Sequence, residues 1–382
     1  MQCSATWLES NSVDPLNQRV INTASSRGVS LRLLALIGIA LLGCGVALAD
    51  DTVPPVSPLE SGQVPPAQSG RITIIEENGN LMPQPTDRWY TNGLALLYLS
   101  PPMSAGSFDA FIPSALLDPA PVYARRFELL FGQNIFTPAN IKISPPDPAD
   151  RPYAGWLYTG AGLYQQHANH SLDHFELEVG VVGPASLAAQ VQEGFHSLLT
   201  ALGKPQIVPA GWAYQLNNEP GVVLSYEHKW RFDIPIGGGL SVDAIPEVGA
   251  TVGNIYTYGE VSTLLRLGQN LNADYGPARV RPALSGGSWF DPAQLNGPFG
   301  WYLFVGSQVR GVARNIFLDG NSFVPSPWVE KYPFVADLSG GVSLFWSDLS
   351  KVDFVVAWRS KEFVGQSAPD RYGGINISFR LP

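Results

Sequence analysis

Cysteine is almost missing from this 382-residue chain, which has only two, Cys3 and Cys44. Both fall in the first 49 residues, read below as an export signal, so neither a disulfide nor thiol chemistry is expected of the remainder. Charge is scarce too, at 14% of residues, and the balance is acidic, a formal net charge of -9. With no basic face and no nucleic-acid motif, the chain is not expected to bind nucleic acid. After Ala49 no uncharged apolar run is long enough for a transmembrane helix, which leaves a soluble exported protein or a β-barrel. In place of what is missing stand 39 glycines, 33 prolines and 11% aromatic residues. That composition suits strands and turns, and argues against disorder or a helical bundle.

Leu33 to Ala49 form an apolar run behind Arg27 and Arg32, and Ala47-Leu48-Ala49 is a small-x-small site followed by Asp50 and Asp51. This pattern predicts a cleaved signal peptide over residues 1–49; a membrane anchor and a lipoprotein signal at Cys44 rank below it. Residues 50–70 hold Pro54, Pro55, Pro58, Pro65 and Pro66 and read as an extended leader.

From Arg71 onward the hydrophobic pattern has period two. Leu224, Tyr226, His228, Trp230 and Phe232 alternate with Ser225, Glu227, Lys229, Arg231 and Asp233, and Ile375, Ile377, Phe379 and Leu381 alternate with Asn376, Ser378 and Arg380. One apolar face over many strands fits a sandwich core or a lipid-facing wall. The glutamates, lysines and arginines of the other face decide for the wall, since a dry core would not accept them. Twelve candidate strands, the first two at 71–78 and 89–99, predict an all-β transmembrane antiparallel barrel over residues 71–382. Strand parity places Pro101 to Pro121 and Gln269 to Pro298 at the periplasmic end, where short turns are the rule.

One stretch breaks the alternation. Leu187, Val191, Phe195, Leu198 and Leu202 recur at helical spacing, predicting a short helix in an extracellular loop over 184–204. Ser186 is the expected N-cap. Gln192 and His196, four apart, project from the flank of the apolar stripe, one turn apart. An imidazole so held is a candidate general base, and is equally compatible with an ordinary half-exposed loop histidine.

Three further segments carry a resemblance. They are Thr86-Asp87-Arg88-Trp89-Tyr90-Thr91-Asn92-Gly93, Asp150-Arg151-Pro152-Tyr153-Ala154-Gly155-Trp156-Leu157-Tyr158, and Val181 to Ser186 followed by Gln192, His196, Gly211-Trp212, Gln215-Leu216 and Glu219. In kind and order they resemble the outer-membrane lipid A 3'-O-deacylase family. The resemblance implies a twelve-stranded barrel in the bacterial outer membrane and calcium-dependent hydrolysis of the 3'-acyloxyacyl ester of lipid A or lipopolysaccharide. It implies His196 as catalytic base, with Asn78 and Gln192 as polar contacts to the water or oxyanion, and Arg151, Thr91 and Trp212 as substrate contacts. No protein partner is evident. The chain departs from the family where Glu-Asn-Asp is usual: here Glu77-Asn78 is followed by Gly79. A carboxylate is thereby lost, and Asp87 and Asn80 are the residues expected to replace it at calcium. Gly79 favours the alternative of a catalytically silent barrel or channel; an outer-membrane phospholipase is the weaker one.

Overall fold

The computed structural model describes residues 69–82, 87–103, 119–204, 206–280, 282, 287–346 and 350–381. The signal peptide and nearly all of the leader lie outside these. The strands are β1 (Arg71–Asn78), β2 (Trp89–Leu99), β3 (Val122–Thr137), β4 (Ala154–His167), β5 (Leu172–Val182), β6 (Glu219–Lys229), β7 (Phe232–Gly237), β8 (Leu240–Gly253), β9 (Tyr256–Gln269), β10 (Phe299–Asn315), β11 (Phe334–Trp346), β12 (Ser350–Arg359) and β13 (Asp370–Arg380). All pairings are antiparallel between neighbours, β1 pairs with β13, and β6 pairs with β8, which closes the ring. Both β6 and β7 pair with β8, and between them the Trp230 amide still donates to the Pro246 carbonyl at 3.0 Å. The two pieces are one bent wall strand, so the wall has twelve, as the alternation predicts. Among the described residues no helix is long and apolar enough to cross a membrane.

Alternation sets the two faces. Leu94, Leu96, Leu129, Phe131, Leu177 and Val179 stand exposed outward, while Glu77, Arg126, Glu128, Arg266, Asp337 and Lys351 are buried inward. This is the inverse of a soluble core, and it is stable only because the inward charges meet partners. Asp337 joins Arg310 and Arg359, each at 2.9 Å, and Lys229 lies 2.9 Å from both Glu227 and Glu247.

Of the two long segments at the periplasmic end, the one between β9 and β10 has a structural reason for its length, while most of Pro101 to Pro121 lies outside the described residues. The β9–β10 segment is long because it turns into the barrel. Asp274 meets Lys351 at 2.5 Å, Arg266, and the Tyr302 hydroxyl at 2.9 Å. Arg279 pairs with Glu77, and the Pro282 carbonyl accepts from Arg310 at 3.0 Å and from Arg359. The chain then returns, with the Ser288 amide donating to the Tyr164 hydroxyl at 3.0 Å and the Asp291 amide to the Ala273 carbonyl at 2.7 Å. From Tyr302 to Arg310 is eight steps along β10, roughly 26 Å of strand. The described part of the segment therefore fills the lumen over much of its height, and the polar inner face is a packed interior.

Candidate functional site

At the end of the barrel where β1 finishes and β13 begins, helix α1 (Ala188–Ala201) lies against the outer face of the wall. A tight turn over Pro184–Ser186 leads into it, and Leu187 enters in the left-handed region with φ 59°. Ser186 is not the N-cap: its hydroxyl is turned back onto the Gly183 carbonyl at 2.6 Å, and no side chain caps α1. The helix can approach the wall because Gly155 has no side chain; a Cβ there would stand 2.2 Å from Ser186 Oγ and 2.3 Å from the Ala188 Cβ. Gln133 on β3 fixes the approach by donating to the Ser186 carbonyl at 2.6 Å. Gly155→Val should push the start of α1 off the wall and lower any activity of the site by about 100-fold, the scale of a 1 Å misplacement. Heat-modifiable mobility on gels should stay that of a folded barrel; unchanged activity would show that the close approach is unnecessary.

The apolar stripe of α1 does not face the wall. Leu187, Val191, Phe195, Leu198 and Leu202 are exposed, whereas Ala188, Gln192 and His196 are buried. The two polar side chains therefore look into the crevice between helix and wall, and the apolar stripe looks away from it. Ala188 packs with Ile135, Ile141, Tyr153 and Trp212, and this cluster anchors the helix.

His196, only 5% exposed, is held at both ring nitrogens. Nδ1 is 2.7 Å from the Ile207 carbonyl and Nε2 is 3.0 Å from Asp87 Oδ2. A carbonyl and a carboxylate only accept, so this arrangement is that of a doubly protonated ring. Accordingly the Asp87 hydrogen bond pushes the imidazole pKa above its ordinary 6.5, burial opposes it, and the Ile207 carbonyl adds to the rise. Gln192 donates to Asp87 at 3.1 Å and accepts from the Trp212 indole at 2.8 Å. Trp212 in turn packs on Tyr153 with ring centroids 4.8 Å apart, and burial lifts that phenol to about 12. Thus four expected residues, His196, Gln192, Trp212 and Asp87, form one chain of contacts.

The other expected residues divide. Asn78 stands opposite Asn92, Asn92 opposite Ile135, and Ile135 opposite Gly155, so Asn78 and the helix seat share one row of the outer face. Asn78 accepts from the Asn80 amide at 2.8 Å, and its own amide lies 3.4 Å from Glu76 Oε1, which also accepts from Asn92 at 2.6 Å. Thr91 meets Thr137, hydroxyl to hydroxyl, at 2.7 Å. Arg151 is not in this crevice. It is fully buried, 3.1 Å from Glu362, with its guanidinium over the Phe136 ring. Two contributors escaped the sequence reading. Glu76 carries no motif of its own, and the Ile207 carbonyl is a backbone group for which no side-chain pattern exists.

Calcium takes six to eight oxygen ligands, and the surroundings of Asp87 do not fit that demand. Both Asp87 oxygens already serve Gln192 and one also faces His196. Among the described residues no hydrogen bond or ion pair joins Asn80 to Asp87, and no group of three possible metal-binding side chains includes Asp87.

The model of the family described as outer membrane protein LpxR matches residues 34–381. Among solved structures the chain is similar to LpxR from Salmonella typhimurium, with 21% identity, a TM-score of 0.63, and 81% of this chain and 100% of that one covered. The likeness is one of fold. The β domain of the Bordetella autotransporter BrkA aligns at 12% identity and a TM-score of 0.39, covering 83% of this chain and 99% of that one. No curated protein sequence matches.

Proposed function

We propose that this chain, which belongs to the outer membrane protein LpxR family, is an outer-membrane esterase that removes the 3'-acyloxyacyl group of lipid A, with His196 as general base. The observation that carries the reading is the crevice between α1 and the outer wall: a buried imidazole oriented by the Ile207 carbonyl, behind an apolar helix face turned outward. In a membrane that face would meet acyl chains, so a lipid ester could reach Nε2 from the side without leaving the bilayer. Filling of the lumen by the β9–β10 segment speaks against the channel alternative.

The chemistry needs Nε2 as an acceptor. With Nδ1–H held by Ile207, deprotonated Nε2 takes a proton from water, the hydroxide adds to the ester carbonyl, and the carbon–oxygen bond to the sugar breaks. The proton returns to the departing alkoxide, restoring the sugar hydroxyl and releasing the acid. Asn78 and Gln192 offer amide donors to the oxyanion, and Trp212 positions Gln192. Thr91 is tied to Thr137, and Arg151, buried outside the crevice against Glu362, takes no part in substrate contact in this reading.

Mass spectrometry of lipid A after incubation with the refolded mature chain tests this, with calcium and with chelator. Loss of one acyloxyacyl mass supports the reading, and the chelator arm decides whether calcium contributes; an unchanged spectrum from folded protein overturns it. The pH profile adds a sharper expectation. Because the folded-state imidazole pKa is raised, the ring stays protonated to higher pH, and the rate should climb through a midpoint above 6.5. In Asp87→Asn the largest upward influence is gone while burial remains, so the midpoint should move down. A profile with the same midpoint in both proteins would remove Asp87 from this role.

A further inference from the structure

Inside the barrel, on the other side of the wall from α1, one imidazole lacks a hydrogen-bond partner. His174 on β5 is 2% exposed, and among the described residues neither of its ring nitrogens makes a hydrogen bond. Its ring lies flat on Tyr164, centroids 3.9 Å apart and planes 5° from parallel, which fixes where the nitrogens point. Nε2 is 3.8 Å from Glu128 Oε1 and 3.8 Å from Glu176 Oε2, and Nδ1 is 3.7 Å from Glu227 Oε2. These gaps are too long for hydrogen bonds. Elsewhere in the same protein an imidazole and a carboxylate in direct contact close to 2.7 Å, as His167 and His228 do on Asp173. One atom each of Glu128, His174 and Glu176 lie within 4.8 Å of one another, and two ligands bound at about 2.0–2.2 Å to one tetrahedral centre stand roughly 3.3–3.6 Å apart, a little less than the two 3.8 Å gaps.

We propose that Glu128, His174 and Glu176 bind a divalent cation of the zinc type in the barrel lumen. The donor set of one imidazole and two carboxylates suits a borderline metal and not a hard one such as calcium. A cavity of about 30 Å³ lined by Glu128, His174, Glu176 and Ser288 adjoins the three donors, enough for a water to complete four ligands. Glu227, anchored by Lys229 at 2.9 Å, faces Nδ1 across 3.7 Å, and closing that gap would give a metal-bound histidine the carboxylate its other N–H needs. Because Glu128 also holds the Ser288 hydroxyl of the inward segment, the ion would tie β3 and β5 to the lumen filling.

The test uses the refolded full mature chain stripped with chelator, titrated with zinc against a chromophoric competitor and, separately, with cobalt. One zinc per chain, visible d–d bands of low-coordinate cobalt, and loss of both in His174→Asn support the site. Glu227→Gln should weaken zinc by about 10- to 100-fold, and Asp87→Asn should bind as the parent does. Should His174→Asn fail to show heat-modifiable mobility, Glu176→Gln carries the comparison. No zinc retained by the parent, or equal retention by the folded variants, overturns the proposal and leaves His174 as a ring stacked on Tyr164 among carboxylates.

Discussion

Replacing His196 by alanine is expected to lower lipid A deacylation by roughly 100- to 10,000-fold, the contribution of one positioned proton acceptor, while leaving the barrel folded. The helix should stay seated, because its anchor is the apolar cluster of Ala188, Ile135, Ile141, Tyr153 and Trp212 and not the imidazole. Two hydrogen bonds disappear, those to Ile207 and Asp87, yet Asp87 keeps Gln192 and is partly exposed, so water can satisfy the rest. The loss should therefore lie in the chemical step. Initial rates by mass spectrometry, beside heat-modifiable mobility, separate the two effects. A folded variant within threefold of the parent would remove His196 from catalysis and return it to the ordinary loop histidine.

Asp274→Ala should be the most destabilising single change in the lumen, by about 3–5 kcal/mol, the scale for deleting one member of a buried charge group. Asp274 is fully buried and joins Arg266, Lys351 and the Tyr302 hydroxyl. Its removal strands positive charge in a dry interior. Arg266 keeps Asp243 and Lys351 keeps Asp353 at 3.3 Å, which places the expected cost toward the lower end of that range. Because Asp274 pins the start of the inward segment, the variant should also conduct ions in a planar bilayer where the parent does not. Urea unfolding in lipid vesicles measures the first effect and single-channel recording the second. A change below 1 kcal/mol with no conductance would mean that Arg279, Pro282 and Ser288 hold the segment without Asp274.

The wall was legible in the residue order alone. β1 and β2 begin and end at the expected residues, Arg71 to Asn78 and Trp89 to Leu99, because a strand between lipid and a polar interior must alternate, and alternation is written in neighbouring residues. The helix was legible for the same local reason. The direction that helix faces was not: its apolar stripe is equally compatible with covering a core or meeting lipid, and only the seat at Gly155 decides. Nor could spacing show that Asp87 would be His196's partner, or that Arg151 would be engaged by Glu362, 211 residues away. An inward face rich in charge says that it must be satisfied, and leaves open whether water or protein satisfies it. Here that was decided by the return of residues between β9 and β10 into the lumen, where Asp274 meets Lys351, Arg279 meets Glu77 and the Pro282 carbonyl meets Arg359, all far along the chain, and pairing across such separations exists only once the barrel has closed.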